Sequence, residues 1–450
     1  MNSRYLLRLS GYALFAVLAA APRMIVAQAR HITLDEAIHL AISQNRVLKV
    51  ARLKVAENQQ KKAGEHSSYF PTLTNQSNAL HITELQQVLI PAGSLGVAAG
   101  TPIPAETVNL QQGKQTIFTS GTMLAQPLTQ LIRIHQQNLV AAAEIAISRN
   151  DVKKAENEIA VQVHTVYYGI LIAQLQKRAA EQQTEYANEN LRESEEDVSK
   201  GSALKVAAIG GQADVLEGRQ SVLTADLQLD DLKTELNDLL GLPLNTQLEL
   251  DASVPTSFDS FDKAQFLKVA WEENPEILAA EETVKKARAG VAAAKTAYIP
   301  DITAYARHSY QDGVPFLVRN FGDFGVHLSY DVFDFGKRRA AVREREDQLA
   351  EAEQNLERLK EDVAVSIERT YNKVERTKTM VDVAHQVVAL RDENDRLAGN
   401  QLTYGVVHVS ERRQASAARY KAQADLLQAS LGYLLARAEL EQAAGRTPGL

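Results

Sequence analysis

The sequence predicts a mixed α/β membrane protein, mostly long α-helices with four antiparallel strands and an internal duplication. Three observations support this prediction. Residues 326–332 alternate apolar and polar side chains like a strand with one wet face, and a helical apolar pattern begins after Gly336. The order of elements in the first half of the chain recurs in the second half. No later segment has the continuous apolar length of a transmembrane helix.

Composition excludes several classes of function. The 450 residues include no cysteine, which rules out disulfides, thiolate catalysis and thiolate metal sites. The net charge of -7 gives no sign of a basic surface that binds nucleic acid. The ten histidines lack metal-ligand spacing, and no phosphate-binding loop or Ser–His–Asp set stands out. We therefore expect no enzyme activity, no cofactor, no metal site and no nucleic-acid partner.

Residues 1–29 have the three parts of a secretory signal peptide. Arg4 and Arg8 precede an apolar run at residues 11–21, and the small-residue sequence 27–29 provides a cleavage site. The apolar run is short for a membrane anchor, which needs ~20 residues. We expect an exported chain that begins at Arg30.

The first repeat, residues 30–241, reads helix, strand, loop, strand, long helix, turn and helix. Thr33 and Glu36 form a capping box at its start. Strands are expected at residues 72–82 and 116–128, on either side of a long loop at 83–115. The apolar tract of that loop could be a surface plug, a phage or antibody target, or a mobile loop, and we prefer the mobile loop. A helix to about residue 200 then ends at Gly201, a natural turn residue.

A linker or equatorial segment, residues 242–262, precedes the second repeat at 263–445, and residues 446–450 form a tail. The second repeat has its strand pair at 302–334 and its helical turn near Gly405. The residues that punctuate the two repeats match at an offset of 229 and then of 204: Asn45/Asn274, Tyr69/Tyr298, Tyr167/Tyr371, Gly201/Gly405 and Gly241/Gly445. The change of offset, 25 residues, predicts an insertion in the first loop.

Four strands in one chain cannot form a closed membrane barrel. An open sheet in lipid would leave backbone groups unpaired, and the smallest membrane barrels have about eight strands. Several protomers must therefore share one barrel. Aromatic residues where strands meet helices, as in an interfacial belt, support this interpretation: Tyr69, Tyr298, Phe333 and Phe335.

Three segments resemble the TolC-type outer-membrane efflux proteins, or outer membrane factors. They read LDEAIHLAISQN at 34–45, QPLTQLIR at 126–133 and DVFDFGKRR at 331–339. The last two lie at strand-to-helix junctions, which contain Pro127 and Gly336. The resemblance implies a homotrimer whose protomers share a twelve-stranded β-barrel in outer-membrane lipid, continued by a periplasmic helical barrel.

The resemblance also implies a function and its partners. The protein would be the passive exit duct of a tripartite efflux or type I secretion system. It would receive substrates from an inner-membrane RND, ABC or MFS-type transporter through a periplasmic adaptor protein. An alternative is a soluble periplasmic coiled-coil adaptor or scaffold without a membrane barrel. Adaptors normally have one helical hairpin between β-repeats, whereas this sequence predicts two hairpins with strand pairs.

By the same resemblance, Gly201, Tyr404 and Gly405 lie at periplasmic tips where an adaptor docks. Tips in the family often carry an acid six residues after the glycine. This chain has Ala207 at that position in the first repeat and Glu411 in the second. Glu411 would either form an acidic ring at the pore entrance or be an ordinary glutamate on a helix surface.

Overall fold

The computed structural model describes residues 30–111, 113–252, 262–314 and 317–449. The expected signal peptide at 1–29 lies outside the described residues. Eight α-helices make up most of the described chain: α1 Leu34–Gln44, α2 Arg46–Ser67, α3 Gln130–Ser199, α4 Lys205–Leu239, α5 Lys263–Glu273, α6 Pro275–Lys295, α7 Lys337–Thr403 and α8 Val409–Ala443. A short 3-10 helix, Thr296–Tyr298, follows α6.

Ten strands accompany these helices: β1 Arg30–Ile32, β2 Thr72–His81, β3 Gln87–Ile90, β4 Val97–Ala98, β5 Thr101–Pro102, β6 Val108–Gln111, β7 Thr116–Pro127, β8 Leu248–Leu250, β9 Asp301–Asp312 and β10 Asn320–Ser329. Four of them form one antiparallel sheet in the order β10-β9-β7-β2. The prediction of long helices with four antiparallel strands is confirmed.

Helices α3 and α7, of 70 and 67 residues, run most of the length of the molecule. At ~1.5 Å per residue each reaches roughly 100 Å. On the side next to the sheet the helices pack in the row α2–α3–α6–α7, and on the far side in the row α4–α3–α8–α7. In both rows α7 is at one end, and the other end is α2 or α4.

The described residues bury one apolar cluster around Tyr167 and a second around Tyr433. The Tyr167 side chain is 2% exposed, and its hydroxyl donates to the carbonyls of Ile32 (3.1 Å) and Asp251 (2.9 Å). These carbonyls flank a parallel pairing of β1 with β8. Tyr167 is thus a core residue, and its hydroxyl connects β1 to the residue that follows β8, between the two repeats.

The segment at 83–115, predicted as a long loop, contains short paired strands. Strand β3 pairs with β6, and the shorter pair β4–β5 lies between them. Strand β3 reads QVLI, with three consecutive apolar residues, and β6 alternates over only four positions, so no strand pattern stands out in the sequence. We call residues 83–115 the insert.

Several element ends differ from the expectation. Alternation in the sequence continues to Val332, but β10 ends at Ser329 because residues 330–336 form a hydrogen-bonded turn. The first strand pair also ends one residue early on each strand, since β2 stops at His81 and β7 at Pro127. Asn45 separates two consecutive helices, since it ends α1 and caps α2 with its side chain.

Candidate functional site

The junction between β10 and α7 is built around Arg338. Its Nε donates to Asp334 Oδ2 at 2.7 Å, and its guanidinium also reaches the carbonyl of Asp331 at 2.6 Å. The same guanidinium lies over the rings of Tyr330 and Tyr298, 4.9 and 5.6 Å from their centroids. Both cation–π contacts and the ion pair favour one orientation of the first helical turn. The junction is therefore a fixed corner.

Asp334 and Gly336 let the chain change from strand to helix. Asp334 accepts from the backbone N–H groups of Gly336 (3.0 Å) and Arg338 (3.0 Å), which are free donors at the start of α7. Hydrogen bonds from the backbone and side chain of Arg338 lower the pKa of Asp334, so it stays ionised. Gly336 has a φ of +88°, a left-handed conformation that glycine adopts without strain.

The junction between β7 and α3 uses different residues. Pro127 ends β7 opposite Thr303 of β9. Thr129 then connects the two repeats, since its hydroxyl donates to the Pro300 carbonyl (2.8 Å) and accepts from the Ile302 N–H (2.8 Å). Sequence reasoning singled out Pro127 and Gly336 but missed Thr129 and Asp334. A short polar residue directly before a helix was the available signal.

The second strand pair separates polar from apolar side chains. Arg307 and Asp323 lie opposite each other and form an ion pair at 2.9 Å on one face. That face also carries Thr303, Tyr305, Ser309 and His327. The other face is apolar and exposed in the half of β10 nearest α7, with Phe324 at 89%, Val326 at 66% and Leu328 at 61%, and the hydrogen-bonded pair His308 and Asn320 lies at its far end. One side of this sheet therefore suits water and the other suits lipid.

The same outer face is more polar on the first strand pair. Leu73, Leu124 and Phe118 are apolar, but a cluster of small polar side chains lies between them. The members of this cluster hydrogen-bond to one another, which reduces the cost of removing them from water: Asn75, Ser77, Ser120 and Thr122.

In each repeat, an asparagine between the first two helices hydrogen-bonds to the end of the last helix. Asn45 donates to the Leu239 carbonyl (3.1 Å) at the end of α4, and Asn274 donates to the Ala443 carbonyl (3.0 Å) at the end of α8. Each of the two also caps the following helix with its Oδ1. The duplication is thus preserved in hydrogen bonds as well as in sequence. We call the contacts of Asn45 and Asn274 the repeat joints.

The structure places Gly201 and Gly405 in the turns of the two helical hairpins. Their φ angles are +76° and +71°, and each follows the last residue of the C-terminal turn of a long helix. Tyr404, which precedes Gly405, is 83% exposed. An aromatic side chain this exposed at the end of a helical hairpin is suited to contact with another protein.

Glu411 is exposed in the first turn of α8, close to Gly405. Two neighbours tie this turn to α3 of the first hairpin. The N–H of Ser410 donates to Glu193 at 2.9 Å, and Arg413 pairs with Glu185 at 3.3 Å. Acids at this end of a helix are also favoured by the helix dipole, which is the ordinary explanation for Glu411.

The two helices of each hairpin contact each other through different kinds of residue in the two repeats. Asp395, 6% exposed, pairs with Arg412 across the second hairpin, and Arg419 pairs with Asp392 at 2.7 Å. The corresponding stretch of the first hairpin packs Gly211 against Leu191. Sequence reasoning missed this charged seam, although acids and arginines at helical spacing on facing helices could have indicated it.

His164 of α3 makes the stability of the fold depend on pH. It is 7% exposed, and burial lowers its pKa from 6.5 to about 4, an effect that the nearby Pro448 carbonyl and Asp35 oppose and Arg437 reinforces. The unfolded chain then binds more protons than the folded chain between these pH values. We expect the free energy of unfolding to fall by about 3 kcal/mol as the pH drops from 7 to 4.

His164→Leu should remove most of that pH dependence, measured by denaturation at pH 7, 5.5 and 4. His39→Leu is the control for loss of a histidine, because His39 is exposed on α1. An equal slope in native protein and His164→Leu would contradict the assignment.

Across the described ranges, no His, Asp or Glu residues form a group of three or more that could hold a metal ion. None of the helices described here combines the length and apolar character needed to cross a membrane.

The comparisons with known proteins agree with this architecture. Residues 266–446 match the family described as outer membrane efflux protein. A comparison with curated proteins finds no match to the chain.

Solved outer-membrane proteins share the fold. The CmeC outer membrane channel of Campylobacter jejuni has a TM-score of 0.72 at 16% identity, over 92% of this chain and 85% of its own. The outer membrane protein VceC of Vibrio cholerae has a TM-score of 0.69 at 15% identity, over 92% and 96%. The open MtrE outer membrane channel of Neisseria gonorrhoeae has a TM-score of 0.67 at 17% identity, over 92% and 89%. The second repeat thus matches the outer membrane efflux protein family, and 92% of the chain shares the fold of these outer-membrane channels.

Proposed function

We propose that the protein is the outer-membrane exit duct of a tripartite efflux or type I secretion system. In this proposal it conducts substrates passively from an inner-membrane transporter and a periplasmic adaptor across the periplasm and outer membrane. Residues 1–29 direct export and are removed, and the two repeats at 30–241 and 263–445 each supply a strand pair and a helical hairpin. The protein has no enzymatic role.

The observation that carries the proposal is that the sheet and the rows of helices each end in two unpaired edges. The sheet ends in β10 on one side and β2 on the other, and the helical rows end in α7 on one side and in α2 or α4 on the other. Strand β10 leads into α7, and α2 leads into β2, so each side of the protomer has the same edge in both layers. One head-to-tail contact can therefore satisfy sheet and helices together, and such contacts close into rings.

Helix α7 has two apolar seams on opposite sides. One faces α8 and is buried, with Ile367, Val374 and Val381 all at 0% exposure. The other is exposed and continues the helical spacing along the free edge: Met380 60%, Val383 55%, Val387 42%, Leu390 72% and Leu397 45%. A helix with two apolar seams needs a packing partner on each side.

Helix α4, at the opposite edge, has the same property. Its buried seam, which includes Val215, Ala225 and Leu229, faces α3. Its exposed seam consists of Ile209, Leu216, Leu223 and Leu227, at 56%, 62%, 69% and 64% exposure. We propose that α4 of one protomer packs on α7 of the next. Three protomers of four strands each then complete a twelve-stranded barrel, as in TolC-type channels.

The two sheet faces fit this assembly. The apolar face with Phe324 and Val326 meets lipid, and the face with Arg307 and Asp323 lines the pore. The exposed Phe333 and Phe335, at 73% and 92%, lie just beyond β10 at the level of the lipid headgroups. The alternative of a soluble adaptor is disfavoured, because it leaves this apolar sheet face without a function.

The hairpin turns at Gly201 and Gly405 lie at the far end of the helices from the sheet. We propose that they are the periplasmic tips, and that the adaptor docks there on Tyr404 and the two turns. The inner-membrane partner is an RND, ABC or MFS-type transporter. Because Glu411 is exposed beside Gly405, its three copies form an acidic ring that favours cations at the pore entrance.

Conductance of the purified protein in planar lipid bilayers tests the proposal. We expect discrete, voltage-independent steps with a preference for cations, and Glu411→Gln should reduce the cation preference at least twofold. Glu411→Asp is the matched control, since it keeps the charge and should keep the preference. Assembly without conductance would contradict the duct. An unchanged preference in Glu411→Gln would contradict only the acidic ring.

A further inference from the structure

The insert leaves the sheet at the end that faces away from the helices. Strand β2 ends at His81 and β7 begins at Thr116, whereas α2 and α3 join the opposite ends of these strands. The base of the insert is fixed to the second strand pair, because Lys114 pairs with Asp312 of β9 at 2.9 Å. In the proposed duct, the insert therefore stands at the outer mouth of the barrel.

The β3–β6 hairpin has one face that is apolar throughout, whereas its other face mixes Leu89 with polar side chains. Val88 lies opposite Leu110, and Ile90 lies opposite Val108, so these four side chains share one side of the hairpin. Val88, Leu110 and Val108 are 58%, 41% and 38% exposed. On the other side, the Asn109 amide donates to the Gln87 side chain at 3.0 Å. A two-stranded hairpin is marginal in water by itself, so this apolar face needs a cover.

The shorter pair in the insert adds more apolar surface. Leu95 and Val97 are 72% and 70% exposed, and Ile103 is 42% exposed. Scattered exposed apolar residues are normal on protein surfaces, but a concentrated group on one small element indicates an interaction site.

The charge of the insert argues against an anionic lipid surface as its partner. Its charged residues are Glu84, Glu106 and Lys114, and Lys114 is already paired with Asp312. Segments that bind anionic headgroups carry clusters of lysine and arginine. An almost uncharged apolar face is better matched by another apolar face.

A second copy of this chain can supply that face. The insert is attached to β2, the free edge of the sheet, where the next protomer must pair. Inserts from neighbouring protomers therefore meet around the barrel axis. We infer that the apolar faces formed by Val88, Ile90, Val108 and Leu110 pack against one another between protomers and form a cap over the outer mouth of the duct.

This inference rests on the proposed assembly, and a crosslinking experiment separates the two. The chain contains no cysteine, so single-cysteine variants have no background. Val88→Cys places a thiol on the apolar face. Leu89→Cys is the matched control, because the adjacent Leu89 is 62% exposed and lies on the opposite face. Both proteins are oxidised as dilute detergent-solubilised assemblies, and their size is measured in parallel by light scattering.

We expect Val88→Cys to give disulfide-linked dimers at least fivefold more than Leu89→Cys. Equal crosslinking in an intact assembly would overturn the cap and leave the duct proposal standing. Failure of both variants and of the native protein to assemble would refute the duct itself. In liposomes of anionic lipid, labelling of Val88→Cys by a lipid-borne thiol reagent without crosslinking would show a membrane contact instead, and would also overturn the cap.

A second measurement reads out the cap in function. The double variant Val88→Asn/Leu110→Asn should raise single-channel conductance at least twofold, because polar faces no longer hold the inserts together. Leu89→Asn should leave the conductance unchanged. Equal conductance in all three proteins would argue that the inserts do not cover the mouth.

Discussion

Gly445→Ala is expected to destabilise the protein by about 3 kcal/mol or more. Gly445 has a φ of +89°, where an alanine is strained by about 1–2 kcal/mol. In addition, a Cβ at this position would overlap Asn274 Cα and lie 2.8 Å from the Asn274 backbone nitrogen. The backbone has to move, which breaks the 3.0 Å bond from Asn274 to the Ala443 carbonyl. Loss of one such bond adds about 1 kcal/mol.

Two other glycines separate the strain from the overlap. Gly405 has a φ of +71° with no atom near its Cβ position, so Gly405→Ala measures the strain alone. Gly241 is the equivalent of Gly445 in the first repeat, and its Cβ would lie 3.1 Å from the Gln44 carbonyl oxygen. Denaturation at one protein concentration should show the smallest loss of unfolding free energy for Gly405→Ala, a larger loss for Gly241→Ala and the largest for Gly445→Ala. An equal loss at all three positions would show that the repeat joint tolerates the extra methyl group.

The repeat joints also show how far the sequence could predict the structure. The recurrence of Asn45 at Asn274 and of Gly241 at Gly445 was visible, because these residue types are set by local backbone geometry. The contact between them was not visible. A side-chain amide can bond to any exposed carbonyl, and its partner 194 or 169 residues away is determined by the packing of long helices.

The candidate site was predictable to the same degree. The change of periodicity near Gly336 located the junction, but the alternation of residues 326–332 could not show that Asp334 and Arg338 end the strand early. The insert was located by its offset and its structure was missed. Strands of four residues, separated here by a segment that contains prolines, are below the length at which a strand pattern is distinguishable from chance.

The substitution pair Leu223→Glu/Leu227→Glu is expected to abolish assembly while the protomer still folds. Both leucines are exposed on α4, on the side opposite its contact with α3, so neither contributes to the core of one chain. In the proposed ring they are buried against α7 of the neighbour. Each unpaired buried glutamate costs roughly 3–5 kcal/mol, so association should weaken by at least about a thousandfold.

Ser221→Glu/Gln228→Glu is the matched control, with the same added charge on exposed positions of the same helix outside the apolar seam. Light scattering in detergent should find this control at the native size and the leucine variant as a single chain. Circular dichroism should show equal helix content in both.

If the leucine variant assembles normally, α4 is not an edge of the ring, and the apolar seam of α7 must have another partner. Loss of helix in the leucine variant would instead mean that α4 depends on its neighbour to fold. In that case Leu390→Glu, on the facing seam of α7, should give the same loss of assembly because it removes the other half of the same contact.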